Sequence, residues 1–185
     1  MLEAFLTSTV LVAIAEMGDK TQLLSFALTA RLRQPRAIIA GILAATLANH
    51  ALAGAAGALV AQFLSPQSIR WITAGAFAAF GLWALKPDRL DEAPKAGAHG
   101  AFVTTLAAFF LAEMGDKTQF ATIALAARYE SLAAVVIGTT LGMMIANVPA
   151  VLLGQKLAGT VPLAAMRWMS AALFLGTAAW TLASA

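Results

Sequence analysis

Glu16-Met17-Gly18-Asp19-Lys20-Thr21-Gln22 is repeated without a change as Glu113-Met114-Gly115-Asp116-Lys117-Thr118-Gln119. The copies lie 97 positions apart, and each sits inside an apolar run long enough to cross a bilayer. Charged residues at that depth are costly and rare, and they mark a site for an ion or a polar solute. Two identical charged heptapeptides in hydrocarbon therefore imply a duplicated membrane protein whose site takes something positive.

Composition agrees. Of 185 residues, 61 % are apolar and 11 % charged, and mean hydropathy is +0.81. A soluble domain has about 45–50 % apolar and about 25 % charged residues. The chain has no cysteine, which removes disulfides, thiolate metal sites and thiol redox chemistry. The net charge of +3 comes from short loops between apolar segments and is no signal for nucleic acid. Residues 6–15 resemble a signal-peptide core with Ala13-Ile14-Ala15 as its cleavage site. No basic residue precedes them, however, and residues 101–112 lead into the second heptapeptide as 4–15 lead into the first. The segment reads as a retained helix.

The apolar segments predict six spans, at residues 4–30, 37–64, 69–85, 101–127, 132–157 and 162–183. Around the heptapeptides an offset of 97 pairs Phe5 with Phe102, Arg31 with Arg128, Gly41 with Gly138, Arg70-Trp71 with Arg167-Trp168 and Trp83 with Trp180. With one further residue of shift, Asn49 pairs with Asn147. The expectation is an all-α integral membrane protein. Its six transmembrane helices form two inverted three-helix repeats, 1–85 and 101–185, joined by a polar linker, 86–100. An odd number of helices per repeat reverses the second repeat in the membrane. Arg31, Arg33, Arg36, Lys86, Arg89, Lys95, Lys156 and Arg167 then fall on one side and only Arg70 and Arg128 on the other. The positive-inside rule makes the linker cytoplasmic and puts both termini outside. Inverted repeats of this kind are common in secondary transporters, with the site at the midplane.

Glu16 and Asp19 are three residues apart and share a helix face, as do Glu113 and Asp116. Pseudo-symmetry would gather the four carboxylates around one point, with Lys20 and Lys117 beside them. Each mid-membrane charge costs about 2.5–3.5 kcal/mol on an insertion scale, so six would cost on the order of 15–20 kcal/mol if nothing compensated them. Four acids and two lysines leave a formal charge of −2, which one divalent cation or two protons would cancel. Oxygen ligands suit hard cations such as Ca²⁺, Mg²⁺ and Mn²⁺. Thr21, Gln22, Thr118 and Gln119 are further oxygen donors in the heptapeptides, and Asn49 and Asn147 are candidates to complete the shell. Each feature also has a plainer reading. Glu16–Lys20 and Glu113–Lys117 could be i, i+4 salt bridges, and the two asparagines could be interhelical hydrogen-bond partners. Gly18 and Gly115 read as close-packing positions, with a local helix break as the alternative. The stripes Gly41, Ala45, Ala48 and Gly138, Gly142, Ala146 read as packing surfaces. His50 reads as a hydrogen-bonded polar residue, and Trp71, Trp83, Trp168 and Trp180 as interfacial anchors.

The Glu-x-Gly-Asp-Lys-Thr motif, one copy in each half, resembles the family of Golgi-type calcium/manganese transporters and their bacterial manganese-exporter relatives. The resemblance covers nearly the whole chain. It implies a cation/proton antiporter whose motif acids, here Glu16, Asp19, Glu113 and Asp116, bind the metal. The short linker is that of prokaryotic members and implies a bacterial inner membrane. The expected activity is export of a divalent cation, Mn²⁺ ahead of Ca²⁺, against H⁺, with no cofactor beyond the transported ion and no enzymatic reaction. Lys20 and Lys117 would tune the site's charge. The rival readings are an exporter of a small cationic solute and a passive divalent-cation channel. An intramembrane hydrolase is disfavoured, because no Ser/His or Cys/His pair is repeated at depth.

Overall fold

The computed structural model describes residues 1–87, 100–129, 131–153 and 162–184. Most of the linker expected at 86–100, and the end of the span expected at 132–157, lie outside the described residues. Among the described residues eight helices follow one another: α1 Leu2–Glu16, α2 Lys20–Leu32, α3 Pro35–Ala61, α4 Pro66–Ala84, α5 Gly100–Glu113, α6 Lys117–Arg128, α7 Leu132–Leu153 and α8 Leu163–Ala183. No strand occurs among the described residues. By length and composition α3 and α7 are each apolar enough to cross a membrane alone.

The spans expected at 4–30 and 101–127 are each two helices rather than one, and the break falls inside each heptapeptide. Gly18 has φ +80° and Gly115 φ +78°, a left-handed conformation that only glycine adopts without strain. Met17 and Asp19 on either side of Gly18 are extended. A Cβ built on Gly115 would meet nothing within 4 Å. That glycine serves the backbone turn and not close packing, so the packing reading is corrected in favour of the helix break.

The small-residue stripes do pack. A Cβ on Gly41 would lie 2.8 Å from the Phe102 carbonyl oxygen, so α3 and α5 touch backbone to backbone there. Gly138 and Gly142 bring α7 equally close to the Phe5 and Thr9 carbonyls of α1. Phe5 with Gly138 and Phe102 with Gly41 are counterparts under the offset of 97. Ala48 departs from its stripe and is exposed. In both pairs residue numbers rise together, from Phe5 and Gly138 to Thr9 and Gly142, and from Phe102 and Gly41 to Phe110 and Asn49. Parallel contacts of this kind need an even number of membrane crossings between their starts.

α4 and α8 pack on each other through Phe77 and Phe174, ring centroids 6.2 Å apart at 24°, which are also 97 positions apart. This pair does not cover the broken helices evenly. α8 lies along α1 and α4 along α6, whereas neither makes more than marginal contact with α2 or α5. All four tryptophans are exposed at the outside of the bundle, where aromatic anchors meet a membrane interface.

Candidate metal centre

Each break leaves a carboxylate on either side. Glu16 and Glu113 are the last residues of α1 and α5, and Asp19 and Asp116 are the N-caps of α2 and α6. The four side chains are buried, and one oxygen from each lies within 4.8 Å of the others. Opposite ligands around Ca²⁺ stand about twice 2.3–2.6 Å apart, so the spread suits a hard cation bound directly.

Local physics explains why the acids face this point. An aspartate at an N-cap ordinarily accepts a backbone N–H of the first turn. Neither Asp19 nor Asp116 does so. Each pairs instead with the lysine of the other heptapeptide: Lys20 Nζ lies 2.8 Å from Asp116 Oδ1, and Lys117 pairs with Asp19 Oδ1. The glutamates sit where a helix terminus carries partial negative charge, which disfavours a carboxylate unless a cation is near. Thr21 Oγ1 donates to Glu16 Oε2 at 2.5 Å and Thr118 Oγ1 to Glu113 Oε2 at 2.8 Å. The other oxygen of each glutamate, Glu16 Oε1 and Glu113 Oε1, is buried with no hydrogen-bond partner. Two such oxygens in one cluster are a conspicuous deficit, because buried polar atoms are nearly always satisfied.

The remaining candidates form a layer around the acids. Gln22 Oε1 accepts from Gly18 N at 3.0 Å and Gln119 Oε1 from Gly115 N at 2.7 Å, so each glutamine bridges its own break. Their amide nitrogens reach across the bundle. Gln22 Nε2 donates to the Ala146 carbonyl at 3.2 Å, and Gln119 Nε2 donates to Asn49 Oδ1. Asn49 Nδ2 donates to the Phe110 carbonyl at 3.0 Å. Asn147 Oδ1 accepts from Ser25 Oγ at 2.8 Å, and its amide donates to the Met143 carbonyl at 3.1 Å. Both asparagines are thus tied into interhelical hydrogen bonds. The break also places Glu16 and Lys20 on different helices, so helical i, i+4 pairing does not describe them. Ser25 was not among the sequence candidates. Its signal was a polar residue three positions beyond Gln22 in an apolar run. His50, expected to be hydrogen-bonded, is fully buried and neither ring nitrogen has a partner.

A buried carboxylate cluster at two helix breaks has the oxygen donors that a small hard cation requires. Residues 4–92 and 101–185 match the family model described as divalent cation/proton antiporter GDT1, and the chain belongs to that family. It is 51 % identical over 165 residues to a Vibrio cholerae protein named "Putative manganese exporter", covering 89 % of this chain and 82 % of that one. It is 32 % identical over 184 residues to GDT1-like protein sll0615 of Synechocystis sp., covering 87 % of each. To GDT1-like protein 4 of Oryza sativa subsp. indica it is 27 % identical over 203 residues, covering 95 % of this chain and 72 % of that one. No solved structure matches the chain. The family is one of membrane transporters of divalent cations and protons.

Proposed function

We propose that this chain exports a divalent cation, Mn²⁺ ahead of Ca²⁺, from the bacterial cytoplasm across the inner membrane in exchange for protons. Glu16, Asp19, Glu113 and Asp116 are its metal ligands. The observation that carries the reading is the meeting of these four buried carboxylates at two helix breaks. The relative named as a manganese exporter favours Mn²⁺. The two unpartnered glutamate oxygens are the open ligand positions. In the empty site the ammonium groups of Lys20 and Lys117 tie each half to the aspartate of the other. An arriving divalent ion replaces those ties, and protons on the carboxylates replace the ion on the return step. Thr21 and Thr118 orient the glutamates. Gln22, Gln119, Asn49 and Asn147 hold the breaks and the neighbouring helices in register.

In this reading residues 1–85 and 101–185 are inverted three-helix repeats about a cytoplasmic linker, with both termini outside. The parallel contacts α1–α7 and α3–α5 support that arrangement. So does the uneven cover given by α4 and α8: in a duplicated chain the mirrored packing, with α8 off α1 and α4 onto α5, uses counterpart residues and differs little in energy. Exchange between the two packings would expose the site to each side in turn.

The test is metal uptake into proteoliposomes under an imposed pH gradient, comparing Mn²⁺, Ca²⁺ and Mg²⁺. Mn²⁺ flux driven by the gradient, with proton counterflow, and lost in both Asp19→Asn and Asp116→Asn is expected. Divalent flux that leaves the internal pH unchanged would make the protein a channel. No divalent flux at all would give the carboxylates to another solute or to the fold.

A further inference from the structure

At the end of the bundle where α1 begins, a mostly apolar cavity of about 250 Å³ and a mixed one of about 620 Å³ meet at Arg128. The larger also takes Arg70, at the start of α4, between Leu64, Ile69 and Ala127. The smaller is walled by Phe77, Leu125, Leu173 and Trp180.

Arg128 is held in place by neutral groups alone: its Nη1 donates to Thr181, its Nη2 to Ser184 Oγ at 3.0 Å, and its guanidinium lies 5.6 Å from the Tyr129 ring centre. The Nε of Arg70 is buried with no hydrogen-bond partner. Among the described residues no carboxylate comes within 4 Å of either guanidinium. Glu3, an acid on this face, accepts from the Tyr129 hydroxyl at 3.1 Å. Guanidinium groups match phosphate oxygens in a planar fork. A phosphate alone would leave the apolar wall of the smaller cavity unfilled. Exposed Trp71 and Trp180 set this end at the level of the lipid headgroups.

We propose that this double cavity binds an anionic phospholipid, its phosphate between Arg70 and Arg128 and an acyl chain along Leu173, Gly176 and Trp180. The site stands apart from the carboxylate cluster and does not depend on the transport reading. It gives the two arginines on the face poor in positive charge a task that the positive-inside pattern leaves open.

The experiment is native mass spectrometry of the detergent-purified chain titrated with phosphatidylglycerol, phosphatidylcholine or inorganic phosphate. Phosphatidylglycerol is expected to stay bound where phosphatidylcholine dissociates, and inorganic phosphate should not displace it. A basic residue near an anionic headgroup is worth about fivefold in affinity, so Arg70→Gln should weaken retention by about that factor. Arg70→Lys, which keeps the charge without the fork, should fall between. Equal retention of the two lipids by the unmodified protein would overturn the proposal whatever the variants do. Displacement by inorganic phosphate would assign the arginines to a free anion. Retention indifferent to Arg70→Gln would place the lipid elsewhere.

Discussion

The two heptapeptides have one sequence and one backbone, but not one environment. Both unwind at glycine, both bridge the break with glutamine, and both turn glutamate and aspartate to the same point. Yet Met114 is 55 % exposed while Met17 is partly covered. The lysine side chains divide the other way: that of Lys20 is 26 % exposed and that of Lys117 only 4 %. The cause lies outside the repeats' shared sequence. Ser170 on α8 donates to the Ile14 carbonyl of α1 at 2.8 Å, and α8 also brings Arg167 to a small cavity beside Met17, Gly18 and Asp19. α4 offers α5 no comparable cover. Local sequence therefore fixes the geometry of the ligands, and the long helices decide how each half is shielded.

The sharpest way to break this comparison is to remove one aspartate at a time and read stability. Asp19→Asn breaks the ion pair of the buried Lys117, and breaking a buried pair costs up to about 3–5 kcal/mol. Asp116→Asn breaks the pair of Lys20, whose side chain is 26 % exposed, and a less enclosed pair is worth less. Either change also relieves some repulsion among the acids, by a similar amount in both. Thermal unfolding in detergent should therefore show a clearly larger loss for Asp19→Asn. Equal losses would mean that the two lysines are equally shielded and that the asymmetry is not a property of the protein in solution.

Gly18→Ala and Gly115→Ala test what the halves share. An L-residue in the left-handed region costs about 1–2 kcal/mol. At Gly115 a methyl group has open space, so strain should be the whole cost. Similar falls in melting temperature are expected for both variants, with divalent flux reduced because the carboxylates move. A loss at only one glycine would show that the breaks are not equivalent.

Much of this was legible from residues alone. The identical heptapeptides marked the two halves, and their acids Glu16, Asp19, Glu113 and Asp116 do meet, though across helix breaks and not on shared helix faces as the i, i+3 spacing implied. The small-residue stripes foretold the close contacts at Gly41, Gly138 and Gly142. The break at Gly18 and Gly115 was only the second reading, because an apolar run reads as a continuous helix and the φ of a glycine leaves no mark on composition. The exchange of lysines between halves was missed for a related reason. Helical i, i+4 reasoning keeps Lys20 beside Glu16, and only after the chain unwinds can Lys20 reach Asp116. The interhelical bonds of Asn49 and Asn147 depend on which carbonyls face them, which is decided by tertiary packing and by no local pattern.

The mildest test concerns the seal between α8 and α1. Ser170→Ala removes one hydrogen bond to a backbone carbonyl, worth about 0.5–1.5 kcal/mol, and should hardly change the melting temperature. Its effect should appear in accessibility. The chain has no cysteine, so single replacements report cleanly. Met114→Cys should react with a water-soluble thiol reagent faster than Met17→Cys. Adding Ser170→Ala should speed the second reaction and leave the first alone. If α8 shields the first break, weakening its attachment raises the fraction of molecules in which that break is open, and the labelling rate follows the open fraction. No change at Met17→Cys would mean that this bond does not hold the cover in place, and the difference between the halves would then rest on the packing of Phe77 against Phe174 that ties α8 to α4.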